Sequence, residues 1–278
     1  FIILNSPVPD FVFQNSLLHY TRTGNGRETL LAFHGFGQTH AHFASLSAQL
    51  TDRYTVYTFD LFYHGHSRWS HREQPLTKAQ WRAWMDAFLV QENIGVFALA
   101  GFSLGGKFAL ATLEAFPERV TELVLIAPDG VKTSFWYSLA TYPTWTRGLF
   151  RRVVVRPGEF QQLARLVRRL RLADKGVLRF AESQMNTREK RHRVYFSWMV
   201  FRDFAFDMPQ IAAEINRRKI PLTMFLGRYD KIITQANMAR LLKRVPHHRL
   251  VVLDSGHSRL LEAVAEHYAE KRKVSENR

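Results

Sequence analysis

Six residues constrain the path of this chain more than any others. Gly101-Phe102-Ser103-Leu104-Gly105-Gly106 follows an apolar run, Val96 to Ala100, and precedes a helical pattern over Leu104 to Phe116. A strand that turns directly into a helix at a serine forces that serine into strained dihedrals, and glycines two residues to either side prevent collision. Such a turn lifts the Ser103 hydroxyl to the carboxyl edge of a sheet, with a helix N-terminus beneath it. As a bare pattern the segment would arise by chance in many chains. Between a strand and a helix it predicts an exposed nucleophile.

The remaining apolar runs fall into the same rhythm. Thr29 to Phe33, Tyr54 to Phe59 and Leu123 to Ala127 read as buried strands, and Pro221 to Leu226 and Arg249 to Leu253 follow after a long interruption. Helical patterns over His40 to Leu50, Thr77 to Glu92, Gln235 to Val245 and Ser258 to Lys271 alternate with them. That alternation predicts an α/β fold with a mostly parallel sheet flanked by helices. Phe11 to Arg22 reads as a β-meander leading into the sheet. With 46% of its 278 residues apolar, the chain can build a large core. The expected organisation is a core in two parts, residues 1–130 and 217–278, around a helical lid at 131–216.

Charge sets that interruption apart. Between Val131 and Lys219 there are 19 Lys/Arg against 7 Asp/Glu, so +12 of the net +15 falls there. Two basic clusters, Arg165 to Arg171 and Arg188 to Arg193, lie within it. The default reading is a solvated outer face; the alternatives are attraction of an anionic substrate or peripheral contact with an anionic membrane. Nucleic acid is not expected, because no binding module accompanies the charge. The aromatics Phe135-Trp136-Tyr137, Tyr142, Trp145 and Phe150, and later Tyr195-Phe196, Trp198 and Phe201, either line an apolar pocket or pack the helices onto the core. For most of them packing is the simpler account.

A second segment supports the first. The Leu30 to Phe33 run ends in His34-Gly35-Phe36-Gly37. An oxyanion needs two preorganised donors, and the backbone N–H groups of Phe36 and Leu104 are the candidates. In order, His34-Gly35-Phe36-Gly37, Asp60-Leu61-Phe62-Tyr63-His64-Gly65-His66-Ser67 and the Ser103 segment resemble the α/β-hydrolase superfamily, in its lidded serine esterase, lipase and C–C hydrolase branch. The resemblance covers essentially the whole chain except the lid.

The resemblance implies an acid after a late strand and a histidine near the end, in the order Ser, Asp, His. Asp230, in Gly227-Arg228-Tyr229-Asp230, and His257, in Asp254-Ser255-Gly256-His257-Ser258, take those places. His257 would accept the Ser103 proton, and Asp230 would fix its tautomer and stabilise the imidazolium. Asp129, in Ala127-Pro128-Asp129-Gly130, is a second candidate acid, and Asp254 a third. His247 and His248 read as surface loop residues, and His64 and His66 as structural.

The implied activity is hydrolysis of a small-molecule carboxylic ester, or a related acyl bond, through an acyl-enzyme on Ser103. The alternatives are a C–C hydrolase or lyase acting on an anionic substrate with the same triad, and a non-catalytic ligand receptor. A serine at the elbow separates the chain from dehalogenases and epoxide hydrolases of this fold, which the resemblance expects to carry aspartate. No cofactor and no metal are expected: there is no His-Glu-x-x-His run, cysteine, phosphate loop or dinucleotide fingerprint. The lack of cysteine fits a reducing, cytoplasmic setting, although exported chains can also lack it. The start, Phe1-Ile2-Ile3-Leu4, reads as a trimmed or mature end. Substrate-binding residues and oligomeric state are left open.

Overall fold

Eight strands pair into one sheet in a computed structural model that describes residues 10–132, 144–170 and 175–276. The hairpin of β1 (Asp10–Phe13) and β2 (Ser16–Thr23) turns through Gln14 and Asn15, both at positive φ. Strand β2 runs antiparallel to β4 (Tyr54–Phe59). Every later pairing is parallel, through β3 (Glu28–Phe33), β5 (Phe97–Phe102), β6 (Val120–Ile126), β7 (Leu222–Gly227) and β8 (His248–Leu253). The order is β1-β2-β4-β3-β5-β6-β7-β8. All residues of β4 and β5 are buried, as strands covered on both faces require.

Helices α1 (Ala44–Leu50), α2 (Lys78–Gln91) and α3 (Gly105–Ala115) connect β3 to β4, β4 to β5 and β5 to β6. The first crossover steps one way along the sheet and the second steps back across β3. Right-handed crossovers therefore put α1 and α2 on opposite faces. The reversal leaves a crevice at the carboxyl ends of β3 and β5, which are register neighbours through Phe33 and Gly101. Several strand limits differ from the sequence reading, among them β6, which begins at Val120 rather than Leu123. Val96 is exposed, and β5 starts one residue later and runs on through Phe102. His248 is not in a loop but opens β8, paired with Leu222.

After β6 come α4 (Thr144–Val155), α5 (Pro157–Arg169), α6 (Lys175–Met185) and α7 (Arg188–Val200), then α8 (Met208–Arg218). Helices α9 (Gln235–Leu242) and α10 (Leu260–Glu276) follow β7 and β8. Val154, Met185, Val194, Tyr195 and Met199 form a small second cluster, against which Phe36 of the β3 loop also packs. Phe201, Phe204 and the inner face of α8 belong instead to the main core. Phe150 stacks on Trp198 at 5.2 Å and lies 5.7 Å from Tyr195, so these rings pack on one another. Phe135-Trp136-Tyr137, Tyr142 and Arg171 lie outside the described residues.

Two uncharged histidines and a buried anion fix the segment after β3. His34 Nδ1 donates to Gly35 O (2.7 Å) and its Nε2 accepts from Leu61 N–H (3.0 Å), which leaves one tautomer. Burial pushes the His34 pKa down to about 4. Burial, with His34 beside it, also holds buried His64 well below the ordinary value. For Asp60, burial works upward, but the His40 ring and the N–H groups of His40 and His66 outweigh it and hold the carboxyl well below its usual range. Asp60 therefore stays an anion inside the fold.

In the main core, Trp81 Nε1 donates to Thr112 Oγ1 at 3.0 Å. Thr112→Val leaves that buried N–H unpaired and is expected to cost about 1–3 kcal/mol in urea unfolding. The histidines predict a pH effect. Unfolded, each binds a proton below about pH 6.5; folded, His34 does so only near pH 4, so the unfolded state binds more protons in between. Stability is thus complete above pH 6.5 and falls as the pH drops. Unfolding free energies from urea titrations should decline between about pH 6 and 5 with a slope approaching one to two protons, about 1.4–2.7 kcal/mol per pH unit. His34→Gln should remove about one proton from that slope.

Candidate active site

Ser103 joins β5 to α3 with φ at +50°, a left-handed conformation that costs a residue with a side chain about 1–3 kcal/mol. Three backbone hydrogen bonds hold it there. Ser103 N donates to Ile126 O of β6 (3.0 Å), and Ser103 O accepts from Gly106 N and Asp129 N (both 2.8 Å). The flanking glycines are sterically required. A Cβ on Gly105 would lie 1.9 Å from Phe33 O, and one on Gly101 would lie 2.6 Å from Gly105 O. The helix can leave the strand this sharply only because no side chain occupies those points.

The turn aims the hydroxyl at His257, 154 residues away in the chain. Ser103 Oγ lies 2.9 Å from His257 Nε2, and His257 Nδ1 lies 2.6 Å from Asp230 Oδ2. Asp230 sits just past β7 with a fully buried carboxylate, whose Oδ1 accepts from Ile232 N (2.7 Å) and Ile233 N (2.9 Å). His257 follows β8, its ring stacked at 5.2 Å on Phe102. An imidazole held between a hydroxyl and a carboxylate can take a proton at Nε2 while its Nδ1–H stays with the acid.

The other acids are engaged elsewhere. Asp129 Oδ2 lies 3.4 Å from the buried Lys107 Nζ, and its Oδ1 accepts from Gly130 N. Asp254 pairs with Arg228 at the surface. Parallel pairing explains the convergence: β5, β6, β7 and β8 end at one edge, and the loops leaving them bring Ser103, Asp230 and His257 together.

Phe36 and Leu104 stand at the ends of β3 and β5. Among the described residues, neither backbone N–H has a protein acceptor. The N–H and C=O of a trans peptide point in opposite directions. His34, by holding Gly35 O, therefore turns the Phe36 N–H away from itself. Gln38 Oε1 accepts from Gly35 N at 3.0 Å, and Arg193 of α7 donates to Gly37 O at 3.3 Å. Sequence reasoning missed Gln38 and Arg193. Gln38, three residues after Gly35, had a local signal; Arg193 contacts the loop across 156 residues and had none.

His19, His40 and Asp60 bring potential metal-ligand atoms within 4.8 Å of one another. Both Asp60 oxygens already accept hydrogen bonds from His40 and His66, and His19 Nδ1 is 2.8 Å from Asp10. The group acts as a hydrogen-bonded brace between β2 and the loops after β3 and β4.

Similarity to known proteins agrees with this architecture. A family model described as "alpha/beta hydrolase fold" matches residues 28–264. A pimeloyl-[acyl-carrier protein] methyl ester esterase of Nitrosomonas europaea is 27% identical over 261 residues, covering 88% of this chain and 94% of that protein. The dihydrolipoyllysine-residue acetyltransferase component of the acetoin cleaving system of Cupriavidus necator is 34% identical over 113 residues. That match spans 41% of this chain and 30% of the relative, under a third of its length. A thermophilic esterase from Thermogutta terrifontis superimposes with a TM-score of 0.68 at 19% identity, covering 94% of each chain. At that identity the likeness speaks for the fold alone. The chain belongs to the α/β-hydrolase fold family and is an enzyme of that family.

Proposed function

We propose that this enzyme is a serine esterase that cleaves a small-molecule carboxylic ester through an acyl-enzyme on Ser103. The 2.9 Å contact between Ser103 Oγ and His257 Nε2 carries the reading, because a serine hydroxyl is a weak nucleophile without a base in reach. In this mechanism Oγ attacks the ester carbonyl carbon as its proton moves to Nε2, and the carbonyl oxygen becomes an oxyanion between the N–H groups of Phe36 and Leu104. Collapse of the tetrahedral intermediate breaks the bond to the alcohol oxygen, which takes the proton from Nε2. Water then repeats the sequence on the acyl-serine, releasing the acid and restoring Ser103. Asp230 holds Nδ1–H throughout and stabilises the imidazolium.

The relative named a pimeloyl-[acyl-carrier protein] methyl ester esterase, matched along nearly its full length, supports an ester of an acyl chain as substrate. The two parts expected at 1–130 and 217–278 form the catalytic core in this reading, joined by Phe201, Phe204 and α8, which pack into it, and α4 to α7 of the insertion expected at 131–216 act as a lid. The second hydrophobic cluster, which touches Phe36, supports α4 to α7 as the unit that packs over the loop.

Hydrolysis of p-nitrophenyl acetate, butyrate and longer esters tests the proposal. Ser103→Ala should lower kcat by about a thousandfold or more, and Asp230→Asn by about a hundred- to ten-thousandfold. Asp129→Asn should stay near the parent rate. Loss of turnover with Asp129→Asn but not with Asp230→Asn would overturn the choice of acid. Undiminished turnover in Ser103→Ala would overturn the mechanism.

A further inference from the structure

Helix α5 carries more apolar surface than the described residues cover. Phe160, Ala164 and Val167 recur at i, i+4 and i+7 and turn inward, with Ala164 buried and Phe160 packed on the second cluster. The adjoining row on the same helix is Glu159, Leu163, Leu166 and Leu170. Its three leucines are 46%, 51% and 55% exposed. The helix packs against α4 and α6, and neither covers that row. Leu149 and Val155 of α4 are exposed as well. Single exposed leucines need no explanation, but an aligned row on one helix does.

The charges around the row are mainly positive, with Glu159 the one carboxylate at its head. Arg152 and Arg156 of the preceding helix and connection both reach Glu159, at 2.8 and 3.1 Å, and so stand at the head of the row with their side chains more than half exposed. Arg169 lies beside its foot, next to Leu170. Arg165 and Arg168 occupy the far flank of the helix. Uncovered leucines rimmed by guanidinium groups on long apolar stems match the boundary between acyl chains and anionic headgroups. A second copy of the chain fits less well, because a two-fold interface would set this arginine-rich surface against itself. Among the described residues no helix is long and apolar enough to cross a membrane, so the contact is peripheral.

We propose that α5 docks the helical insertion on an anionic lipid surface, with Leu163, Leu166 and Leu170 entering the headgroup–acyl boundary and Arg152, Arg156 and Arg169 pairing with lipid phosphates. This inference does not depend on the catalytic reading. None of these residues belongs to the catalytic machinery, and a lipid surface would recognise the helix whatever the substrate.

Co-sedimentation with vesicles tests it, using phosphatidylcholine alone and phosphatidylcholine with about 30% phosphatidylglycerol. The intact chain should pellet with the anionic vesicles at low salt and not with the neutral ones. About 0.5 M salt, which shortens the Debye length to a few ångström, should release most of it. Leu163→Gln/Leu166→Gln/Leu170→Gln and, separately, Arg152→Gln/Arg156→Gln/Arg169→Gln should each reduce partitioning by about tenfold or more. Hydrolysis of a short soluble ester, or an unchanged circular dichroism spectrum and melting curve if that ester is not turned over, shows that each variant is folded. Absence of binding to anionic vesicles at low salt overturns the proposal. So does binding that the arginine variant loses and the leucine variant keeps, a pattern that fits an acidic protein surface instead.

Discussion

The left-handed backbone at Ser103 is the constraint on which the rest of the site depends. A serine at +50° costs free energy and is retained because three backbone hydrogen bonds from β6, α3 and the loop after β6 over-determine it. The same turn starts a helix at the hydroxyl, opens space for it through Gly101 and Gly105, and leaves the Leu104 N–H without a protein acceptor among the described residues. The parallel sheet supplies everything else by placing the carboxyl ends of β3, β6, β7 and β8 along one edge.

The loop after β3 depends on a different kind of support. His34 and His64 are buried and neutral, while Asp60 is buried and charged, and their hydrogen bonds divide cleanly. The rings donate to the carbonyls of Gly35 and Phe62, and the carboxylate accepts from His40 and His66. A buried polar network of this type is costly wherever a member goes unpaired, as His64 Nε2 does among the described residues. Here it sets the peptide plane that carries the Phe36 N–H. The helical insertion reaches the same loop through Arg193 and through the packing of Phe36, so its position and the geometry of that loop are physically linked.

Much of this was legible from residue order. The strand–serine–helix segment is local, and its glycines report a steric requirement that any fold containing it must meet. The alternation of apolar runs and helical patterns anticipated the parallel sheet because a strand covered on both faces is buried throughout and therefore mostly apolar, as β4 and β5 are. Boundaries were less readable. Val96 is as apolar as its neighbours yet lies outside β5, and His248 looks like a loop residue yet pairs with Leu222. Side-chain chemistry does not say where a ladder begins; the partner strand does.

The amino-acid sequence by itself determined the elbow, the fold class and the order of the serine, acid and histidine candidates, because each follows from short-range sterics or from the periodicity of burial. Only the tertiary structure decided which acid meets His257. Asp129 and Asp230 both follow strands, and what separates them is a partner remote in the chain: Lys107 for one, the His257 ring for the other. The same holds for the arginine-rich insertion. Its composition was evident, but the uncovered leucine row became visible only when α5 was packed, since a face counts as exposed by what fails to cover it.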